Sequence, residues 1–469
     1  MHSLTTRGSE DGMERQAIPE GTLGNDDYPL ERVPAHARYA WFSVATQRFG
    51  QLSSFSQFLL GATLGFGMTF TDALLAITLG AVVLEFATIA VGIAGCREGL
   101  STSVLARWTG FGRGGSALVG LLIAVSLMGW FGVQNAVFAQ GLHSLVGGLP
   151  EWGWALVGGL GVSALVVWGF RFMTWAAYVT VPAFLALAAW SIIPELAGED
   201  AGALFTGEPA GPQLSLAAGT TIVAGGFIVG AVMTPDMTRY NRSPGDVVKQ
   251  TLLGVTLGEY VIGLIGVLLA HAARSADIAA AVTSTSGFLG TLILVAAILK
   301  VNDWNLYSSS LGVVNTCDVL FGRRISRVTA TVVVGVCGSV LSAVGILDHF
   351  TDFLTVLGVA TPPVAGIMIA EYFVVRTWRA ELDRTRDGAG LPAAAPEWVP
   401  AALVCWAAGG LIGHFADWGI PAINSITVAF VLYVVLGRLG LVRGYGTAMT
   451  ATPALHGPLT ARPTEGSRS

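Results

Sequence analysis

The chain has 469 residues, of which 53% are hydrophobic and only 12% charged, with 25 Lys plus Arg, 30 Asp plus Glu and a formal net charge of -5. That composition, with a mean hydropathy of +0.65, excludes an ordinary soluble domain and reads as an all-α polytopic membrane protein with no nucleic-acid partner. Cys96, Cys317, Cys337 and Cys405 are scattered singly, without metal-ligand or disulfide spacing, so neither a metal nor a cofactor is expected.

Residues 1–35 are polar and 444–469 are rich in Thr, Pro and Gly, so both are expected to be disordered tails flanking a membrane domain over 36–443. A helical span needs about 20 predominantly apolar residues. Twelve such runs follow one another, at roughly 49–69, 72–95, 115–146, 154–171, 173–194, 216–235, 247–273, 287–316, 327–346, 351–376, 398–415 and 420–441. With both termini cytoplasmic, every Lys and Arg except Arg274 and Lys300 falls on the cytoplasmic side, as the positive-inside bias demands of a multi-pass cell-membrane protein.

The first span, QLSSFSQFLLGATLGFGMTF, carries Ser53, Ser54 and Ser56 ahead of Gly61, Gly65 and Gly67. Glycine at this density either frees backbone carbonyls beside a cavity, where Ser54 would be a contact, or lets two helices approach closely. The second span contains Glu85, a carboxyl that stays protonated, pairs with a cation or borders water. In the third, SLMGWFGVQNAVFAQGL, Ser126, Trp130 and Gln134 recur at i, i+4 and i+8 and share a face. An aromatic plane beside an amide suits a planar heterocycle, whose ring stacks while its edge takes paired donors and acceptors.

The sixth span, TTIVAGGFIVGAVMTPDMTRYNRSPGD, has Gly225, Gly226 and Gly230 ahead of Pro235, which predicts a helix interrupted near its middle and stopped at the proline. Glycine-broken helices five spans apart fit a repeat of five spans followed by an inverted copy, with a site between the half-helices. The seventh span adds Glu259, a buried carboxyl of the same kind as Glu85.

The eighth, from Gly287 to Thr316, places Lys300, Asn302, Asp303, Asn305 and Tyr307 inside a membrane-grade run. Lys300 lies roughly 20 Å along the helix from Gly287, too deep for snorkelling. Helical spacing puts Ile298, Asn302, Asn305 and Ser309 on one face, suited to reading a ligand, and Lys300, Asp303 and Tyr307 on another, suited to holding a charge. In the tenth span Pro362 and Pro363 predict a kink. Nucleophile-and-base patterns, HExxH, phosphate loops and repeated filter sequences are missing from the sequence, so neither an enzyme nor a channel has support.

Taken in order and spacing, GATLGFGMTFTDALLAITLG, GWFG at Gly129–Gly132, GGFI and TPDMTRYNR between Gly225 and Arg242, NDWNLYSSSLG at Asn302–Gly312 and TPPVAGIMIAEY at Thr361–Tyr372 resemble the nucleobase:cation symporter-1 family, and bacterial cytosine permeases in particular. The resemblance implies twelve transmembrane helices in a LeuT-type five-plus-five inverted repeat with two C-terminal helices, and secondary-active, alternating-access import of a nucleobase-like heterocycle. By motif, Trp130 resembles the stacking residue of span three, and Phe227, after Gly226, its counterpart in span six. Gln134 resembles an amide of hydantoin and fungal purine-cytosine relatives, and Asn302 and Asn305 resemble asparagines of span eight.

Leu127 and Ala297 stand where cytosine permeases carry glutamine and asparagine, so a purine, another pyrimidine, a hydantoin or a hydroxymethylpyrimidine fits as well as cytosine. In sodium-coupled relatives the two residues before the Asn-Asp pair bear hydroxyls; here they are Lys300 and Val301. The expectation is that the Lys300 ammonium replaces sodium, helped by Asp303, Glu259 or Glu85, giving proton coupling or uniport. A sodium-coupled cytosine symporter and an amino-acid-type carrier on the same fold are the alternatives.

Overall fold

A computed structural model of the chain describes residues 28–52, 55–167, 201–275, 301–388 and 390–450, with isolated positions between 178 and 193. Ser54, Ala297 and Lys300, most of the expected fifth span and the first half of the eighth lie outside the described residues.

The first expected span is helical on both sides of residues 53–54, which lie outside the described residues, as α1 (Trp41–Leu52) and α2 (Phe55–Gly67). They are followed by α3 (Phe70–Glu98), α4 (Gly112–Val146), α5 (Glu151–Val166), α6 (Leu216–Val232) and α7 (Pro244–Ala273). The described part of span eight, α8, is helical over 301–321. Then come α9 (Arg327–Ala343), α10 (Phe350–Ala360), α11 (Pro362–Ile369), α12 (Arg379–Arg386), α13 (Pro400–Phe415) and α14 (Pro421–Arg438). Local chemistry sets several ends. The Thr69 side chain caps α3 by accepting from the Asp72 N–H, and Gly99 ends it at φ 64. Ser215, Ser243 and Ser326 cap α6, α7 and α9 in the same way. The double proline marks the join of α10 and α11.

Among the described residues, five helices are long and apolar enough to cross a bilayer, beginning with Phe70–Glu98, and four shorter helices are apolar throughout. The outward surface agrees: Leu75, Leu79, Val82 and Phe86 recur at helical spacing along α3, and Phe86 is 65% exposed. An apolar stripe on the outside belongs against lipid. Inside, α2 packs along α7 and α3 along α6, while α4, α5 and α9 form a second group. The α13–α14 hairpin lies against α11.

Gly61 and Gly65 serve close packing here. A Cβ on Gly65 would meet the Val267 carbonyl oxygen at 2.5 Å, and one on Gly61 would overlap the Gly263 backbone. The sixth span differs from expectation, because α6 runs unbroken through Gly225 and Gly226 and ends at Val232, before Pro235. In apolar surroundings a break needs partners for the freed backbone groups. The helix supplies them until Met233, after which Pro235 opens a separate turn, Pro235–Thr238.

Both expected tails need correction at their inner edges. Leu30, Arg32 and Val33 are buried, and the Val33 N–H donates to the Gly99 carbonyl at 2.8 Å. At the other end β2 (Tyr445–Met449) pairs antiparallel with β1 (Ala394–Trp398), a small sheet in an otherwise helical chain. Pairing with a strand from the main domain supplies backbone partners that a Thr- and Gly-rich segment could not find alone.

Candidate functional site

Both α1 and α2 lie along α7, which runs beside them in the same direction. The Arg48 stem lies on Gly254, Leu52 on Gly258, and Gly65 on Val267. Opposite α1 and α2, the helices α4, α6 and α8 complete a small cavity of about 50 Å³.

Trp130, Gln134, Gly226 and Phe227 line it together, so four of the sequence candidates meet in one place. Trp130 stands edge-on to Phe353, with ring centroids 5.9 Å apart. Asn302 does not line the cavity. Its Oδ1 accepts from Asn305 Nδ2 at 3.2 Å, and it is Asn305 that faces the space. The two asparagines are three residues apart on one face, and packing of the helix turns the second inward while burying the first. Ser126, on the helical face of Trp130, is buried and outside the lining.

Asp303 is buried and lies off the cavity wall. Tyr307, on the same helix face, accepts from Arg239 Nη2 at 2.9 Å, and its ring stacks on Trp304 at 5.3 Å. Trp304 and Val301 line the cavity. Glu259 is fully buried, and its Oε2 accepts from Gln57 Nε2 at 2.5 Å. Glu85 accepts from the Thr256 hydroxyl.

Three site residues escaped the sequence reading. Gln51 and Gln57 line the cavity from α1 and α2. The signal was available, as two amides in or beside a membrane-grade apolar run, but the serines between them drew the attention. The third is Arg48, which the charge count places in the cytoplasmic tail. Its guanidinium is fully buried, 5.0 Å from the Phe227 ring centroid, and donates to Gln51 Oε1 and the Gly230 carbonyl at 3.2 Å and to Thr234 Oγ1 at 2.6 Å. Among the described residues all its hydrogen-bond partners are neutral. Two aromatic rings, several amides and buried charges around the cavity can orient a flat polar ring.

The family described as permease for cytosine/purines, uracil, thiamine, allantoin matches residues 32–440. The cytosine permease of Escherichia coli (strain K12) is 30% identical over 427 residues, 90% of this chain and 96% of that protein. The hydantoin permease of Microbacterium maritypicum is 25% identical over 366 residues, covering 73% of this chain and 74% of its own length. Among solved structures, Mhp1, a nucleobase-cation-symport-1 family transporter in a closed conformation with bromovinylhydantoin bound, superposes with a TM-score of 0.73 at 20% identity. The match covers 90% of this chain and 96% of Mhp1.

Proposed function

Because the chain belongs to the family of permeases for cytosine/purines, uracil, thiamine and allantoin, we propose that it imports a nucleobase-like heterocycle by secondary-active, alternating-access transport. The observation that carries the reading is the convergence of Trp130, Phe227 and Gln134 on one cavity. Trp130 and Phe227 sandwich the ring. Gln134 and Asn305 read its edge, and Asn302 holds the Asn305 amide in place. The substrate class spans purines, pyrimidines, hydantoins and hydroxymethylpyrimidines.

The architecture proposed is twelve helices, five plus five inverted plus two, with both termini cytoplasmic. The helix pairings support it: under a five-span repeat, span one against span seven maps onto span six against span two, and both pairings occur. Coupling is to protons, or absent. Val301 has no side-chain oxygen for sodium, and the charged groups Lys300, Asp303 and Glu259 supply the protonatable set.

Purified protein screened by thermal shift against nucleobases, hydantoins and vitamin precursors identifies the substrate, since a ligand of the folded state raises apparent stability. Base–aromatic stacking is worth about 1–3 kcal/mol, so Trp130→Ala is expected to weaken binding by about tenfold or more. An affinity within about twofold of wild type refutes this site. Competition by amino acids rather than nucleobases would point to an amino-acid carrier on the same fold.

A further inference from the structure

Glu259 sits where α7 departs from regular geometry. Two π-helical turns, Leu252–Thr256 and Gly258–Ile262, follow each other there, and such turns are enriched at functional positions. The carboxyl is fully buried. One oxygen takes the 2.5 Å hydrogen bond from Gln57, and the other, Oε1, has no partner among the described residues. Gln57 is itself a wall of the substrate cavity. A single amide therefore touches both a buried acid and the space a heterocycle would fill.

Among the described residues, the charged and titratable groups facing this point are few. From α3, Glu85 is bonded to Thr256, one turn before Glu259. From α1, Arg48 packs its stem on Gly254 and turns its guanidinium toward Phe227, Gly230 and Thr234. On α7 itself, Tyr260 donates to the Thr78 hydroxyl, and His271 at the far end is held by the Leu204 and Met68 carbonyls. The α2 sequence has no ionisable side chain. None of these groups places a cation on the Glu259 carboxyl. Burying an ionised carboxylate without one is far costlier than burying the acid.

We propose that Glu259 carries the coupling proton and that Gln57 reports its state to the substrate. This rests on the reading of the chain as a heterocycle carrier. A proton from the water on one side binds a carboxylate oxygen and neutralises the charge. It leaves to the water on the other side when the bundle has switched, restoring the carboxylate. Ionised Glu259 accepts only, so it fixes Gln57 with its N–H toward α7. Protonated Glu259 is also a donor and can take Gln57 Oε1, so the amide offers a different group to the cavity. Substrate affinity and protonation are thereby linked, and linkage between two sites is reciprocal.

The test uses the full chain in proteoliposomes with labelled cytosine, uracil, adenine and hydantoin, reading both exchange and net accumulation. With one proton per substrate, an inward gradient of about one pH unit supports accumulation of about tenfold. Glu259→Gln, neutral in every state, is expected to keep exchange within about threefold while accumulation falls to the passive level, and to flatten the pH profile of substrate affinity.

Accumulation by Glu259→Gln that follows the pH gradient as in wild type overturns the proposal. Should that variant fail to fold, wild-type vesicles decide. Substrate-driven acidification of a lumen filled with a pH dye supports the proposal, and its absence overturns it. Gln57→Leu, with the acid intact but its link cut, is expected to remove the pH dependence of affinity, and an unchanged pH profile in that variant removes Gln57 from the scheme. If wild type exchanges none of the four probes, the carrier reading fails instead.

Discussion

Gln134 and Asn305 bring amides to the cavity from different helices, and each is worth what an unpaired polar edge would cost in a dry site, about 1–3 kcal/mol. Gln134→Leu is therefore expected to raise the dissociation constant of the identified substrate by about tenfold, measured by calorimetry, with the melting temperature of the free protein little changed. Asn302→Leu should act differently. It frees the Asn305 amide, so both affinity and stability fall.

Much at this scale was legible in the sequence. Trp130 and Gln134 announce themselves because a tryptophan beside an amide in mid-span has few structural uses, whereas Phe227 is marked only by the resemblance of its motif. The choice between Asn302 and Asn305 was not legible, since both lie on one helical face and only the rotation of α8 against its neighbours decides. Arg48 was hidden by its position. Seen from the sequence it is the last charge of a polar tail, and only the partners on α6 reveal that it is buried.

At the level of elements, the seam between α2 and α7 depends on backbone meeting backbone. Gly65→Leu would drive a side chain into the Val267 carbonyl. Overpacking of this kind costs about 1–3 kcal/mol or more, so a lowered melting temperature and reduced membrane yield are expected, whereas substitution at Gly161, which meets nothing nearby, should be neutral. A second expectation concerns α12. Burial pushes the Asp383 carboxyl up, but hydrogen bonds from Arg379 and Arg386 outweigh it and hold Asp383 below its ordinary value. A depressed carboxyl stabilises above its unfolded value and loses that contribution as pH falls through the folded one. Acid below about pH 4 should therefore loosen α12 first, detectable as faster amide exchange there.

The apolar runs and turn signals located most helices, yet the sequence placed one break wrongly. Glycine density in span six suggested an interruption that the continuous α6 does not have. Whether a glycine bends a helix or lets a neighbour in is settled by the neighbour.

Across the whole molecule, one end of the bundle is clasped by a buried network. Glu98 takes Arg32 Nη1 at 2.7 Å, and Arg386 Nη2 and the Tyr372 hydroxyl at 2.6 Å, tying the N-terminal segment, α3, α11's continuation and α12 together. Breaking a buried pair by removing one charge costs about 3–5 kcal/mol. Glu98→Gln is thus expected to lower the melting temperature sharply, with Glu98→Asp intermediate.

The Arg48 contacts also bear on how the chain is made. An arginine at the centre of a lone helix opposes insertion by about 2.5–3.5 kcal/mol, and α1 is only 12 residues long. Two of the groups that accept its hydrogen bonds, the Gly230 carbonyl and the Thr234 hydroxyl, come 182 and 186 residues later. These two acceptors reach Arg48 only after the sixth span has been made, so part of the cost of burying it is offset late in synthesis.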